Sequence, residues 1–249
     1  MGRHWAVLAV LAGLAATPAA AMQQDPALGR YEARAFVTGT DLRSRPAGMA
    51  ACLADVLVKV SGDPTILTDP RLAALQQHSA DYVTDFDYWD RMSGIAHHDE
   101  QGSNDRPYNL TVRFDPARID AALATLGRSV WPDPRPVLLF RVHVTGGRAN
   151  FDLTRAAPQA GEMRAAIVES AQKYGMRVAL PGDPGPADGV ALAGTLVLSR
   201  QALGWVSTWH LDYGGSGYDW GDSGVDFDEA FRDGIGGAMR ILSGHGAPQ

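Results

Sequence analysis

The sequence predicts an α+β fold made of two consecutive α/β subdomains, with mainly antiparallel sheets and helices packed on them. Three observations carry that expectation. Stretches such as Tyr82 to Trp89 and Gly204 to Tyr213 alternate residue by residue, which is the period of a half-buried strand. The connections between such stretches resemble hairpins rather than long crossovers, while the helical patterns stand apart from them. The stretch from Arg128 to Arg135, with three prolines nearby counting Pro136, divides the chain, placing a first subdomain at 30–132 and a second at 135–245.

The first strand is Tyr31 to Thr38, closed by the turn residues Gly39, Thr40 and Asp41. Arg45 to Gly62 follows as the clearest amphipathic helix. Met49, Cys52, Leu53, Val56, Leu57 and Val60 recur at the spacing of one buried face. Asp55 and Lys59, four apart, are expected on a solvated face. Pro46 suits the first turn, Gly62 the C-cap, and Pro64 stops the helix from resuming. Asp69-Pro70 opens a short helix, and Tyr82 to Trp89 is a strand with an aromatic side. Ser93 to Pro107 is polar and aperiodic, a hairpin loop or insertion. Leu110, Val112 and Phe114 mark the return strand, and Asp115-Pro116 starts a helix that runs to Gly127.

In the second half, Val137 to Thr145 reads as a strand buried on both faces at its start. Gly161 to Tyr174 is a helix stopped by Gly175. Strands then cover Met176 to Leu180, Val190 to Ser199 and Gly204 to Tyr213, with a further one at Gly217 to Trp220. Asp226 or Asp228 caps a last helix through Phe231, Ile235, Met239 and Leu242.

Several of these segments resemble a bacterial envelope family described as domain of unknown function 2066. The likeness lies in Leu57-Val58-Lys59-Val60-Ser61-Gly62-Asp63, in Tyr82-Val83 with Phe86 and Tyr88, and in Leu110, Val112, Phe114 and Asp115. It continues through Gly127, Val130-Trp131 and Arg135-Pro136, and more loosely through Gly194, Trp205 and Trp209. The resemblance implies an exported α/β protein of unknown role and assigns no catalytic residue.

Residues 1–21 have the three-part layout of a secretory signal peptide: Arg3 and His4, an apolar run from Trp5 to Ala16, and Ala19-Ala20-Ala21 at the cleavage point. The apolar run is shorter than the roughly 20 residues that span a bilayer. A periplasmic location after cleavage at Ala21 is therefore expected, without integral membrane insertion. Met22 rather than Cys follows the cut, which argues against a lipid anchor. Loss of this segment, which holds one Arg and no acidic group, takes the net charge from −6 to −7. That balance, without a basic cluster, argues against nucleic-acid binding. The single cysteine, Cys52, excludes an internal disulfide and reads as a small buried hydrophobe.

Candidate chemistry is sparse. Gly221-Asp222-Ser223-Gly224 matches the segment around a serine-protease nucleophile, but no matching His segment accompanies it, and a turn accounts for it. His97, His98, Asp99 and Glu100 offer imidazole and carboxylate donors to a metal, yet adjacent residues on an extended chain point apart, and a solvated loop is the simpler reading. Asp219, Asp222, Asp226 and Asp228 lack the order of a calcium loop and suit capping. Trp209, Tyr213, Tyr218 and Trp220 form the candidate binding set: they can line a groove for a cell-wall component, a sugar or a partner peptide, or serve as core. No catalytic residue, metal or cofactor is assigned. The reading is a non-catalytic periplasmic binding or scaffold protein of the cell envelope, with an envelope protein or cell-wall component as partner. The alternatives are a hydrolase using Ser223 or a metal near His97 and His98, and a structural subunit of an envelope assembly.

Overall fold

A computed structural model describes residues 27–93, 106–147, 149–184 and 189–248. The stretch 1–21 read as an export signal, and the His97 and His98 loop, lie outside the described residues.

Helix α1 (Arg45–Ser61) is the element against which both halves pack. It starts with Pro46 in its first turn and ends at Gly62, whose φ of 74° supplies the left-handed C-cap. It lies on a three-stranded antiparallel sheet of β1 (Glu32–Thr38), β3 (Pro107–Phe114) and β2 (Val83–Asp90), in that spatial order. Helices α2 (Leu72–Gln77) and α3 (Pro116–Thr125) flank it. Asp115 caps α3 by accepting the Ala117 and Arg118 amides, so the Asp-Pro start acts as read from the sequence.

The second sheet has six strands. Its path runs β5 (Ala149–Asp152), β4 (Val137–Gly146), β7 (Val190–Ser199), β8 (Gly204–Tyr213) and β9 (Ser216–Val225), and β6 (Arg177–Ala179) also pairs with β4. Pairing is parallel where β4 meets β6 and β7 and antiparallel elsewhere. Helices α4 (Gly161–Tyr174) and α5 (Phe227–Leu242) pack together, with α5 on β7, β8 and β9. Asp226 caps α5, its carboxylate accepting the Glu229 amide at 2.7 Å. Hydrophobic residues of both halves join in one continuous buried cluster, from Ala33 to Leu242.

Two readings from the sequence are corrected. Lys59 is not on a solvated face. It is 1% exposed because α4 covers that side of α1, and its ammonium donates to the Glu32 carbonyl at 2.6 Å. Asp55 likewise faces α4, accepting from Lys173 at 2.6 Å. Gly221 to Gly224 is not a turn but part of β9, which runs on to Val225. Gly224, at φ 80°, takes the extra position of a bulge, since Val206 pairs with Ser223 while Trp205 pairs with Val225. The sequence reading lacks the short strand β5.

The boundary stretch is built into the junction of the halves. The Trp131 amide donates to the Val60 carbonyl at 2.9 Å. Arg135 stacks its guanidinium 4.4 Å from the centre of the Trp131 ring and donates to the carbonyls of Val60 (3.2 Å) and Gly175 (3.4 Å). It thus places a cation at the C-terminal ends of α1 and α4, where helix carbonyls lack partners.

Candidate functional site

The aromatic candidates share a face of the β8–β9 hairpin. In the register, Trp209 pairs with Trp220, Leu211 with Tyr218 and Tyr213 with Ser216. That face is not an open groove, because α5 lies on it. Trp209 is 1% exposed and packs against Phe140 and Phe231 at ring separations of 6.0 and 6.3 Å. A Cβ on Gly194 or on Gly234 would come within 2.5 Å of its indole, so β7 and α5 close on the ring from either side only because both positions are glycine. Trp220 is half-buried and donates its indole N–H to the Asp233 carbonyl. Tyr213 alone of the four is exposed, at the turn end of the hairpin beside the half-buried Tyr218.

The opposite face of the same sheet carries the polar chemistry. Strand alternation sends Arg141, His143 and Thr145 of β4, Ala193 and Thr195 of β7, Thr208 and His210 of β8, and Asp219 and Ser223 of β9 to that side. Register aligns them in rows across the strands. One row runs Asp152, His143, Thr195, Thr208, Gly221, and the next runs Arg141, Ala193, His210, Asp219. A concavity of about 570 Å³ lies over these rows.

Each imidazole is held by a carboxylate on the neighbouring strand. His143 Nδ1 lies 2.8 Å from Asp152 Oδ1, and His210 Nδ1 lies 2.8 Å from Asp219 Oδ1. The hydrogen bond to Asp152 raises the pKa of His143 above its ordinary 6.5. Hydrogen bonds to Asp219 and then Asp212 do the same for His210, whose Nε2 is 3.4 Å from Asp212 Oδ1. Thr195 and Thr208 share a hydrogen bond of 2.7 Å between the two histidine positions. The arrangement presents oriented donors and acceptors on rigid strands, suited to binding a polar surface or ligand.

It does not bring Ser223 to His210. Ser223 pairs with Val206, four residues along β8 from His210, roughly 13 Å at the usual strand rise. A base must reach the hydroxyl within a hydrogen bond, so these groups do not form a nucleophile and its base. Cys52 is fully buried, and burial pushes its thiol up to about 12. Among the described residues no group of three or more His, Cys, Asp and Glu side chains is arranged to hold a metal. No described helix is long and apolar enough to cross a membrane.

A Ser, His and Asp grouping that the sequence did not suggest lies at the junction of the halves. Ser243 Oγ is 2.9 Å from His245 Nδ1, and His245 Nε2 is 3.9 Å from Asp63 Oδ2. Its hydrogen bonds mark it as a structural knot. Ser243 donates to the Gly62 carbonyl at 2.8 Å, while Asp63 accepts from the Thr65 amide and hydroxyl and from Arg128. The Asp63 carboxylate is thereby committed to a helix cap and an ion pair rather than to orienting a base. The last two residues of the Val58-Lys59-Val60-Ser61-Gly62-Asp63 stretch tie α1 to the end of α5.

Residues 26–132 match a family described as domain of unknown function (DUF8605), which is less than half of the chain. The match supports an uncharacterised domain in the first half, and not the specific family 2066 that the sequence resembles. Comparison with curated proteins finds no match. One similar solved structure is titled "Crystal structure of uncharacterized protein". It shares 11% identity, with 45% of this chain and 93% of that chain covered, at a TM-score of 0.25.

Proposed function

We propose that this protein is exported to the bacterial periplasm and works there without catalysis, as a binding or scaffold component of the cell envelope. The uncovered face of the six-stranded sheet is its contact surface. The observation that carries this reading is that face itself: two carboxylate-held imidazoles, Arg141 and a pair of threonines stand over a concavity of about 570 Å³ that no described helix occupies. Rigid strands position such groups with little entropy left to lose on binding. Export rests on the layout of residues 1–21 and on the resemblance to an envelope family. A polar, hydroxyl-rich face suits a cell-wall glycan or a hydrophilic protein surface.

Two measurements test the proposal. N-terminal sequencing of the protein recovered from a periplasmic extract should begin at Met22; an intact N-terminus found only in the cytoplasm overturns export. The purified chain should sediment with isolated cell-wall material or hold a defined envelope protein, and Arg141→Ala with His210→Ala should weaken that retention about tenfold. Retention equal for wild type and variant removes the sheet face from the function.

A further inference from the structure

A second and larger hollow, about 960 Å³, lies where the two halves meet. Helix α1 forms its floor through Asp55 and Lys59, β1 forms one wall and α4 the other. Strand β1 is an edge of its sheet, paired with β3 alone among the described residues. Its register shows which backbone groups that pairing uses. The Phe114 amide donates to the Tyr31 carbonyl, and the Gly39 amide donates to the Arg106 carbonyl, so the odd-numbered residues turn toward β3. The even-numbered ones turn the other way, as the Glu32 carbonyl does in accepting the Lys59 ammonium. The N–H and C=O of Phe36 point to the same side.

Native edges of this kind are normally blunted, because unpaired backbone groups invite another strand. Here the edge meets a trough with its own recognition features. Phe36 and Val168, on opposite walls, are 60% and 55% exposed. Arg91 places its guanidinium 5.5 Å from the centre of the Phe36 ring, and Arg164 donates to the carbonyls of Thr154 and Ala157. Neither of these two cations has a carboxylate partner among the described residues. The lining also carries Lys173 and Arg232, which are paired with Asp55 and Glu229, and this leaves Arg91 and Arg164 as the cations that face a ligand's carboxylates. A strand-edge wall facing a helix wall across such a trough suits an extended segment that hydrogen-bonds through its backbone and places alternate side chains in pockets. Arg91 and Arg164 select its sign.

We propose that this trough binds an extended segment of a partner protein, alternating acidic and apolar residues, which adds as a fourth strand along the edge of β1. The proposal is independent of the open face of the second sheet. It is tested by fluorescence anisotropy with the purified chain and labelled peptides of alternating Asp and Val. Three controls accompany them: the Lys and Val counterpart, the Asp and Val peptide N-methylated at every second residue, and a size-exclusion run of the chain alone. Val168→Glu and Arg91→Glu, both at the rim, should leave the far-ultraviolet spectrum and melting transition intact. Each should weaken binding of the acidic peptide by roughly tenfold or more, and added salt should weaken it further. The lysine and N-methylated peptides should fail to bind. Absence of saturable binding by the acidic peptide, or equal binding by the N-methylated or lysine peptide, overturns the proposal. So does self-association of the chain that Val168→Glu abolishes, since the occupant is then a second copy.

Discussion

Asp63 shows how one side chain can be fixed by three elements at once. It is 2% exposed, caps the turn at Thr65 and pairs with Arg128. Burial works against its ionisation, but the hydrogen bonds from Thr65 and Arg128 outweigh it and hold the carboxyl below its ordinary value. Its contribution to stability is therefore present above the unfolded carboxylate range and is lost as pH falls through the lowered folded value. Asp63→Ala leaves the Arg128 guanidinium and the Thr65 amide without their acceptor and should cost about 2–3 kcal/mol, read as a lowered denaturant midpoint. The histidines of the open sheet run the other way. Both have folded pKa values raised by their aspartates, so their pairs contribute fully below 6.5 and lose that contribution as pH rises through the raised values. His143→Gln with His210→Gln should therefore destabilise more at about pH 5.5 than at about pH 8.5. An equal effect at both values means the imidazole charges do not support the fold.

At the scale of elements, α5 contradicts its own propensity. Gly234, Gly236 and Gly237 sit inside a sixteen-residue helix, each costing about 1 kcal/mol relative to alanine. Each is where a ring comes closest: Trp209 at Gly234, Tyr174 at Gly236 and Trp220 at Gly237. Gly234→Ala should thus destabilise by about 1–3 kcal/mol despite the gain in helix propensity, lowering the melting temperature by about 2–4 °C per kcal/mol. A raised melting temperature means the indole can shift aside. The ends of α1 and the start of α5 were legible in the sequence, because Pro46 and Gly62 act through their own backbone geometry and an aspartate at the start of α5 caps the amides of its own first turn. The aromatic set was not. Alternation places Trp209 and Trp220 on one face of β8 and β9, but whether that face meets solvent or α5 depends on residues some tens of positions away. The Gly-rich run at 234–237 was the available signal that a helix approaches aromatic rings closely.

At the scale of the molecule, the two sheets share no strand pairing, yet one hydrophobic cluster runs through both halves. Helix α1 is the common element, touching β1, β3, α3 and α4. Leu57, fully buried on it, belongs to that cluster. Leu57→Ala should cost about 2–5 kcal/mol and reduce amide exchange protection in β8 by as much as in α1. Protection lost in the first half alone means the halves unfold independently. The sequence by itself determined the α+β class, nearly every strand and helix, and the caps that bound them, because periodicity and turn chemistry are local. Only the tertiary structure decided which faces are covered: that Lys59 is buried under α4, that Trp209 is core, and that the polar rows of the second sheet and the edge of β1 stay open. The physical reason is that burial belongs to pairs of surfaces. A strand or helix specifies what it can bury, and the element that packs against it decides what it does.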